Sequence, residues 1–302
     1  MPMVVNTNLG SLSAQRSLAA SGVELKEAME RLSSGKKINT AADDAAGFAI
    51  AERMTAQIRG LNMATKNAND GLAMLATVEN ATNDVTDMLQ RIRELAVQAA
   101  NDSNSIQDRS FLQNEVNSLV MEINRVSTQT KYNNKVVLDG TLSGSFQVGT
   151  EKDQTISFAI LSIDAQTLGL QTGTTIVSDN SAAGEYTVDT ASNATNPTGT
   201  AGTISILSAS DATASLEKIS AAIEQVAQNR ASYGALQNRL EYTVSNLMNV
   251  AEFTTSARSR IEDADFAAES AKLAKAQVLQ QTGTAMLAQA NAAPQLALQL
   301  IR

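Results

Sequence analysis

Cysteine, histidine and tryptophan are all missing from this chain. Without cysteine no disulfide contributes to stability. Thiol catalysis, imidazole acid–base chemistry and zinc sites built from Cys or His are excluded as well. Aromatic residues make up 3% of the chain against 43% hydrophobic residues. Apolar surface is therefore carried by Ala, Leu, Val, Ile and Met, which suit thin helix-on-helix seams better than one thick core. Positive charge is also short, with 23 Lys and Arg against 31 Asp and Glu and a net charge of −8. No basic face balances phosphates, which disfavours nucleic acid and anionic membrane surfaces. No apolar run approaches the roughly 18 residues of a membrane span, so no membrane insertion is expected. Met1 to Gln15 contains no Lys or Arg, and Asn and Ser interrupt any apolar block there. The expectation is a protein without a cleavable signal peptide, either cytoplasmic or exported by a route that keeps its N-terminus.

Helical periodicity fills most of the 302 residues. The stretch Phe48 to Ala99 has no proline and predicts one helix of about 80 Å at roughly 1.5 Å per residue. Met54, Ile58, Leu61, Ala68, Leu72 and Leu75 form a first line at heptad spacing. Val78, Val85, Leu89, Ile92, Ala96 and Ala99 form a second, and the phase slips near Leu75. Asn6 to Ser33 predicts a helix with the seam Leu18, Gly22, Leu25, Met29 and Leu32, stopped at Ser33-Ser34-Gly35. The connector Lys36 to Ala46 is no phosphate loop, because a Walker motif needs glycine where Glu30 stands. Ile106 to Thr128 predicts a helix folding back on the long one through Leu112, Val116, Leu119, Ile123 and Val126.

Composition changes from Lys131 to Asp211, where Thr, Ser, Gly, Asn and Asp dominate. Val136–Leu138, Phe146–Val148 and Ile156–Ile160 alternate like short strands, the last two joined by a hairpin loop over Gly149–Gln154. Tyr186–Val188 and Ile204–Ile206 are weaker strand candidates, and Asp189 to Gly202 with Pro197 predicts a loop. Helical patterning resumes at Leu216 through Ile219, Ile223, Val226, Tyr233, Leu240, Val244, Leu247 and Ala251. A break is expected from Thr254 to Asp265. A last helix starts near Phe266, with Ala276, Leu279, Gly283, Met286, Ala290, Ala293, Ala297 and Leu300 on its seam. Pro294 should kink or end it.

The fold class is therefore mostly α: a long antiparallel coiled-coil-like bundle with paired terminal helices and a small β-rich central insertion. Gly22 and Gly283 hold matching places in their seams and could meet. The terminal helices carry so little apolar area that two outcomes stay open. They are loosely ordered until they pack on other copies, or they form a stable intramolecular pair. Asp43-Asp44 and Glu262, Asp263 and Asp265 lack the EF-hand pattern and any accompanying base, so they read as helix caps rather than metal ligands. No enzyme and no cofactor is expected.

Several motifs at both ends are specific. They are Asn6 to Leu9, Arg31 to Asn39 (RLSSGKKIN), Asp43 to Gly47 (DDAAG), Ser256 to Asp263 (SARSRIED), Gln280-Gln281, Ala288 to Asn291 (AQAN), Pro294, and Leu300 to Arg302. In these the chain resembles bacterial flagellin, over about residues 4–165 and 210–302. The middle resembles the short form, without large outer domains. The resemblance implies that residues 1–43 and 256–302 are the two halves of an inner-tube helical domain. Residues 44–135 and 211–255 then form a rod, and 136–210 face solvent. It implies a polymerisation interface on Leu18, Gly22, Leu25, Met29, Leu32, Leu279, Gly283, Met286 and Leu300.

The implied partners are other copies of the chain, a filament cap, hook–filament junction proteins and an export chaperone, with export through the flagellar type III channel. The segment Leu89 to Gln98 resembles the part of flagellin bound by Toll-like receptor 5. Leu89, Gln90, Arg91, Glu94, Leu95, Gln98 and Glu115 are the residues it marks. Asp87, Arg91 and Glu94 also read simply as a surface charge ladder. Glu30 to Ala51 resembles the epitope of the plant flagellin receptor but departs from it at Glu30, Lys36 and Ala42. Two rival readings remain, a hook–filament junction protein and a helical adhesin or signalling module.

Overall fold

Polar residues at the helix ends decide where each helix starts and stops. In this computed structural model residues 8–171 and 204–300 are described, with side chains as far as residue 292. The candidates Tyr186–Val188 and the Pro197 loop, together with the side chains of Pro294 and Leu300, lie outside that range. Helix α1 (Leu9–Ser34) begins at Asn8, whose side chain accepts from Ser11 N at 3.0 Å. It ends at Gly35, with φ 71° and its N–H on Arg31 O. Helix α2 (Ala45–Ala99, 55 residues) begins at Asp44, whose carboxylate accepts from Ala46 and Gly47. Its last carbonyl, Ala99 O, and Asn101 O just beyond it accept from the buried Arg109 guanidinium at 2.9 and 3.1 Å. A cation there suits the negative helix end. Helix α3 (Ile106–Gln129) opens with a capping box of Ser105 and Asp108.

Two short hairpins follow. Strands β1 (Lys131–Tyr132) and β2 (Lys135–Val136) are joined by Asn133 and Asn134, both at positive φ, as a tight primed turn requires. Strands β3 (Ser143–Gln147) and β4 (Thr155–Ala159) pair antiparallel, with Ser143 opposite Ala159 and Gln147 opposite Thr155. Strands β3 and β4 overlap the predicted runs Phe146–Val148 and Ile156–Ile160, and β2 meets the run Val136–Leu138 at Val136. Ile204–Ile206 forms no strand and packs as buried irregular chain. Helix α4 (Ala209–Glu262) runs past the expected break, which shrinks to Asp263–Asp265. Thr254 and Thr255 stay helical by bonding back to Val250 and Ala251 carbonyls, each at 2.7 Å. Helix α5 (Phe266–Leu300) continues through Pro294 rather than ending there.

The chain divides into a terminal unit (Met1–Gly60 and Asn249–Arg302) and a central unit (Leu61–Met248), with both boundaries inside helices α2 and α4. In the central unit the α2 seam is Leu61, Ala64, Ala68, Gly71, Leu75, Val78, Thr82, Val85, Leu89, Ile92, Ala96 and Ala99, all buried. The spacing alternates three and four without interruption, so the expected slip near Leu75 does not exist. It arose from choosing Leu72 over its neighbour Gly71. Gly71 takes the seam because the Phe146 ring occupies the space, about where a Cβ would stand, with ring atoms at 3.0 Å. Phe146 in turn stacks on Phe158 at 4.4 Å.

On α3 the buried line includes Arg109, Gln113, Val116, Val120, Ile123 and Ser127. Its polar members hold backbone. Gln113 bonds Ile204 O and Ile206 N, Ser127 donates to Leu138 O, and the half-buried Asn124 accepts from Ala165 N. The Tyr233 hydroxyl of α4 accepts from Leu161 N at 3.2 Å, and burial pushes that phenol's pKa up.

Candidate assembly face

In the terminal unit α1 and α5 run antiparallel in one register. Asn8 Nδ2 donates to Ala290 O at 2.7 Å, Leu18 lies against Gly283, and Arg31 pairs with Glu269 at 3.6 Å. At the far end Lys36 pairs with Glu262, and Ala264 N donates to Gly35 O at 3.0 Å. Among the described residues α1 and α5 thus lie against each other within one copy. Gly22 and Gly283 do not meet. A Cβ on Gly283 would stand 2.9 Å from Leu18 Cδ1, whereas one on Gly22 would meet nothing within 4 Å. Gly283 is small because a leucine fills the place opposite.

Small and polar residues form this seam. On α1 the buried positions are Ser11, Ala14, Ser21 and Ala28, with Leu18 and Leu25 half-buried between them. On α5 they are Glu269 and Ala276, with Leu273, Gly283, Leu287 and Ala290 half-buried. Glu269 is the one acidic residue buried among the described residues. It is held by Arg31 and by Lys272 at 2.9 Å, and Arg31 also pairs with Glu27.

The predicted interface residues separate accordingly. Leu18, Gly22, Leu25, Leu32 and Gly283 are half-buried, while Met29, Leu279 and Met286 are exposed. Met29 stands one residue from the seam position taken by Ala28. Leu9, Leu12, Val23 and Val278 are exposed too. Beside the seam lies an open groove of about 790 Å³, floored by Gly10, Ala14, Ser17 and Ser21 and edged by Leu279, Gly283 and Met286. Ser13, Glu24, Thr282 and Gln289 also line it, and large apolar side chains left exposed on both helices mark an interaction face.

The acidic clusters act locally. Asp43 accepts from the backbone of Thr40 and Asn39, which lowers its carboxyl pKa. Asp265 caps α5 through Ala267 N at 2.9 Å.

The strip on α2 lies in the central unit. Gln90, Arg91, Glu94 and Gln98 are exposed, as is Glu115 on α3. Arg91 donates to Glu115 at 2.9 Å and to Glu94 at 3.0 Å, and these bonds, Glu115 first, raise its already high pKa. Leu89 and Leu95 correct the expectation, since both are fully buried in the bundle and present no surface to a receptor. The seam that holds Leu89 also takes Ala96, which rotates Leu95 inward. Sequence reasoning missed Gln113, Asn124, Ser127 and the Arg31–Glu269 pair. The heptad running from Arg109 through Gln113 to Val116 and Val120 was the signal for Gln113.

Comparison with known proteins covers nearly the whole chain. Residues 5–143 match the bacterial flagellin N-terminal helical region and residues 216–301 the bacterial flagellin C-terminal helical region. The flagellin of Xenorhabdus nematophila is 42% identical over 313 residues, covering 100% of both chains. The flagellin of Bacillus subtilis (strain 168) is 39% identical over 313 residues, covering 99% of this chain and 100% of that one. The crystal structure of Bacillus cereus flagellin is 23% identical and covers 60% of this chain and 88% of that one at a TM-score of 0.45. The chain belongs to the bacterial flagellin family, whose members are structural subunits of the flagellar filament and not enzymes.

Proposed function

We propose that this flagellin polymerises through the outward apolar side of the α1–α5 pair, with further copies of the same chain as the partner. One observation carries the reading. The pair turns Ser and Ala inward and leaves Leu9, Leu12, Val23, Met29, Val278 and Met286 in water. Burial of large apolar side chains is the main favourable term in association, and here most of it remains unspent within one copy. Met286→Glu and Val23→Glu test it, because both sites are exposed and neither change disturbs the monomer. Seeded elongation, followed by sedimentation and negative-stain microscopy, should need a free-subunit concentration at least about tenfold higher, as an unpaired charge in an apolar contact requires. Elongation at the unaltered concentration would refute the face.

Further parts of the reading rest on the flagellin resemblance. Export runs through the flagellar type III channel, with a chaperone on the C-terminal helix. Addition takes place under a cap, on a filament joined to the hook by junction proteins. The free subunit is recognised by Toll-like receptor 5 through Gln90, Arg91, Glu94, Gln98 and Glu115. Their exposure in one strip, tied by Arg91 across two helices, is compatible with that role.

A further inference from the structure

With no cysteine in the chain, thioethers are the groups most open to mild two-electron oxidation. Of the 10 methionines, Met74 is buried and Met54 and Met88 are half-buried, whereas Met29, Met63, Met121, Met248 and Met286 are exposed. Met286 is the most open of these at 66%, and it alone among them lines the groove between α1 and α5. Gly283 and Leu279, one and two helical turns away on α5, line the groove with it.

We infer that Met286 is an oxidation site through which peroxides withhold free subunits from the filament. The inference rests on the assembly face proposed above. The step needs hydrogen peroxide or an organic hydroperoxide. A sulfur lone pair of Met286 attacks one peroxide oxygen, the O–O bond breaks and an S–O bond forms. Proton transfer then releases water or the corresponding alcohol. Sulfur loses two electrons and the peroxide gains them.

The product sulfoxide is polar and accepts hydrogen bonds strongly. In the free subunit water satisfies it, so the fold is unchanged. Packing against a neighbouring copy removes that water and offers apolar surface instead, which weakens the contact about tenfold. Assembly in turn protects the sulfur, so the modification acts on subunits before they are incorporated and spares those already in place. A methionine sulfoxide reductase reverses it.

The test uses full-length subunits treated briefly with dilute hydrogen peroxide, so that each carries on average less than one sulfoxide. Filament seeds are added, filaments are pelleted, and sulfoxide at each methionine is quantified by peptide mass spectrometry in pellet and supernatant. Sulfoxide at Met286 should be enriched about tenfold in the supernatant, as the weakened contact requires. Reductase treatment of that supernatant should restore its assembly. Equal sulfoxide content at Met286 in the two fractions overturns the inference. So does enrichment at another methionine with none at Met286, or exclusion that persists after reduction. Failure of the underlying face reads differently. If Met286 in intact washed filaments oxidises as fast as in free subunits, the groove is not buried by assembly and both readings fall.

Discussion

Gln113→Leu removes two bonds that tie the returning chain to α3. Gln113 is 2% exposed, and its amide accepts from Ile206 N at 2.7 Å and donates to Ile204 O at 3.2 Å. Ile204 and Ile206 are themselves buried, so no bulk water replaces a lost partner. Leucine nearly matches the volume, which keeps any cavity term small. What remains is one orphaned backbone N–H and one orphaned C=O, each worth about 1–3 kcal/mol when buried, besides the lost bond from Gln113 to the half-buried Asn117 Oδ1. Leucine recovers part of that by burying its own methyl groups, so the expected net loss is about 2–4 kcal/mol. Urea unfolding of the monomer should show a lower midpoint at unchanged slope. Amide exchange at Ile206 should speed up at least tenfold, since about 1.4 kcal/mol of lost protection already gives that factor. A loss under about 0.5 kcal/mol, within the range of neutral surface changes, with Ile206 still protected would refute the reasoning. The segment would then be held by apolar packing alone.

Gly71→Leu should destabilise the central unit by about 1–3 kcal/mol through overpacking, despite the better helix propensity of leucine, because Phe146 already fills the site. Thermal unfolding would show it, and displaced Phe146 and Phe158 ring resonances would place it. Acid should destabilise the subunit through groups whose folded pKa is lowered, among them Asp108 by the Ser105 hydroxyl, Glu122 by Arg125 and Asp43 by Thr40 N–H. Their contribution is complete above the unfolded carboxylate pKa of about 4 and is lost as pH falls through the lower native values. Asp108→Asn should therefore flatten the acid limb of a stability–pH curve, and an unchanged limb would count against the capping box. Arg91→Ala should leave the unfolding midpoint unchanged, as for exposed ion pairs, while lowering receptor signalling by the free subunit. Leu89→Ala should cost about 2–5 kcal/mol and lower signalling only as far as it unfolds the subunit, a distinction visible when reporter-cell response is normalised to circular dichroism.

Helix existence, order and antiparallel layout were legible from periodicity, because the five long helices of the described residues leave three-and-four spacing along their length. The side chain that enters each seam was not. Leu72 was read for Gly71, Met29 for Ala28 and Ile223 for Ala222. In each pair the larger residue looks like the core, yet the smaller one is buried. At Gly71 the choice is made by a distant group, the Phe146 ring, and no local pattern carries that volume. Polar residues hide for a related reason. Gln113, Asn124 and Ser127 look solvent-facing until the backbone they bond comes back across α3.

The displaced apolar residues have different fates in the two units. In the central unit Leu72, Leu112, Leu119 and Ile223 stand just off the seam and are half-buried, because other helices and the returning chain supply a further surface. In the terminal unit Met29 stands beside the buried Ala28, and it, Leu279 and Met286 are exposed. There α1 and α5 face each other, and none of these three side chains is covered. The same sequence rule, a small residue inside and a large one beside it, yields a closed core where the chain provides every wall and an open face where it does not. The wall absent from the terminal unit is what a second copy of α1 and α5 would bring.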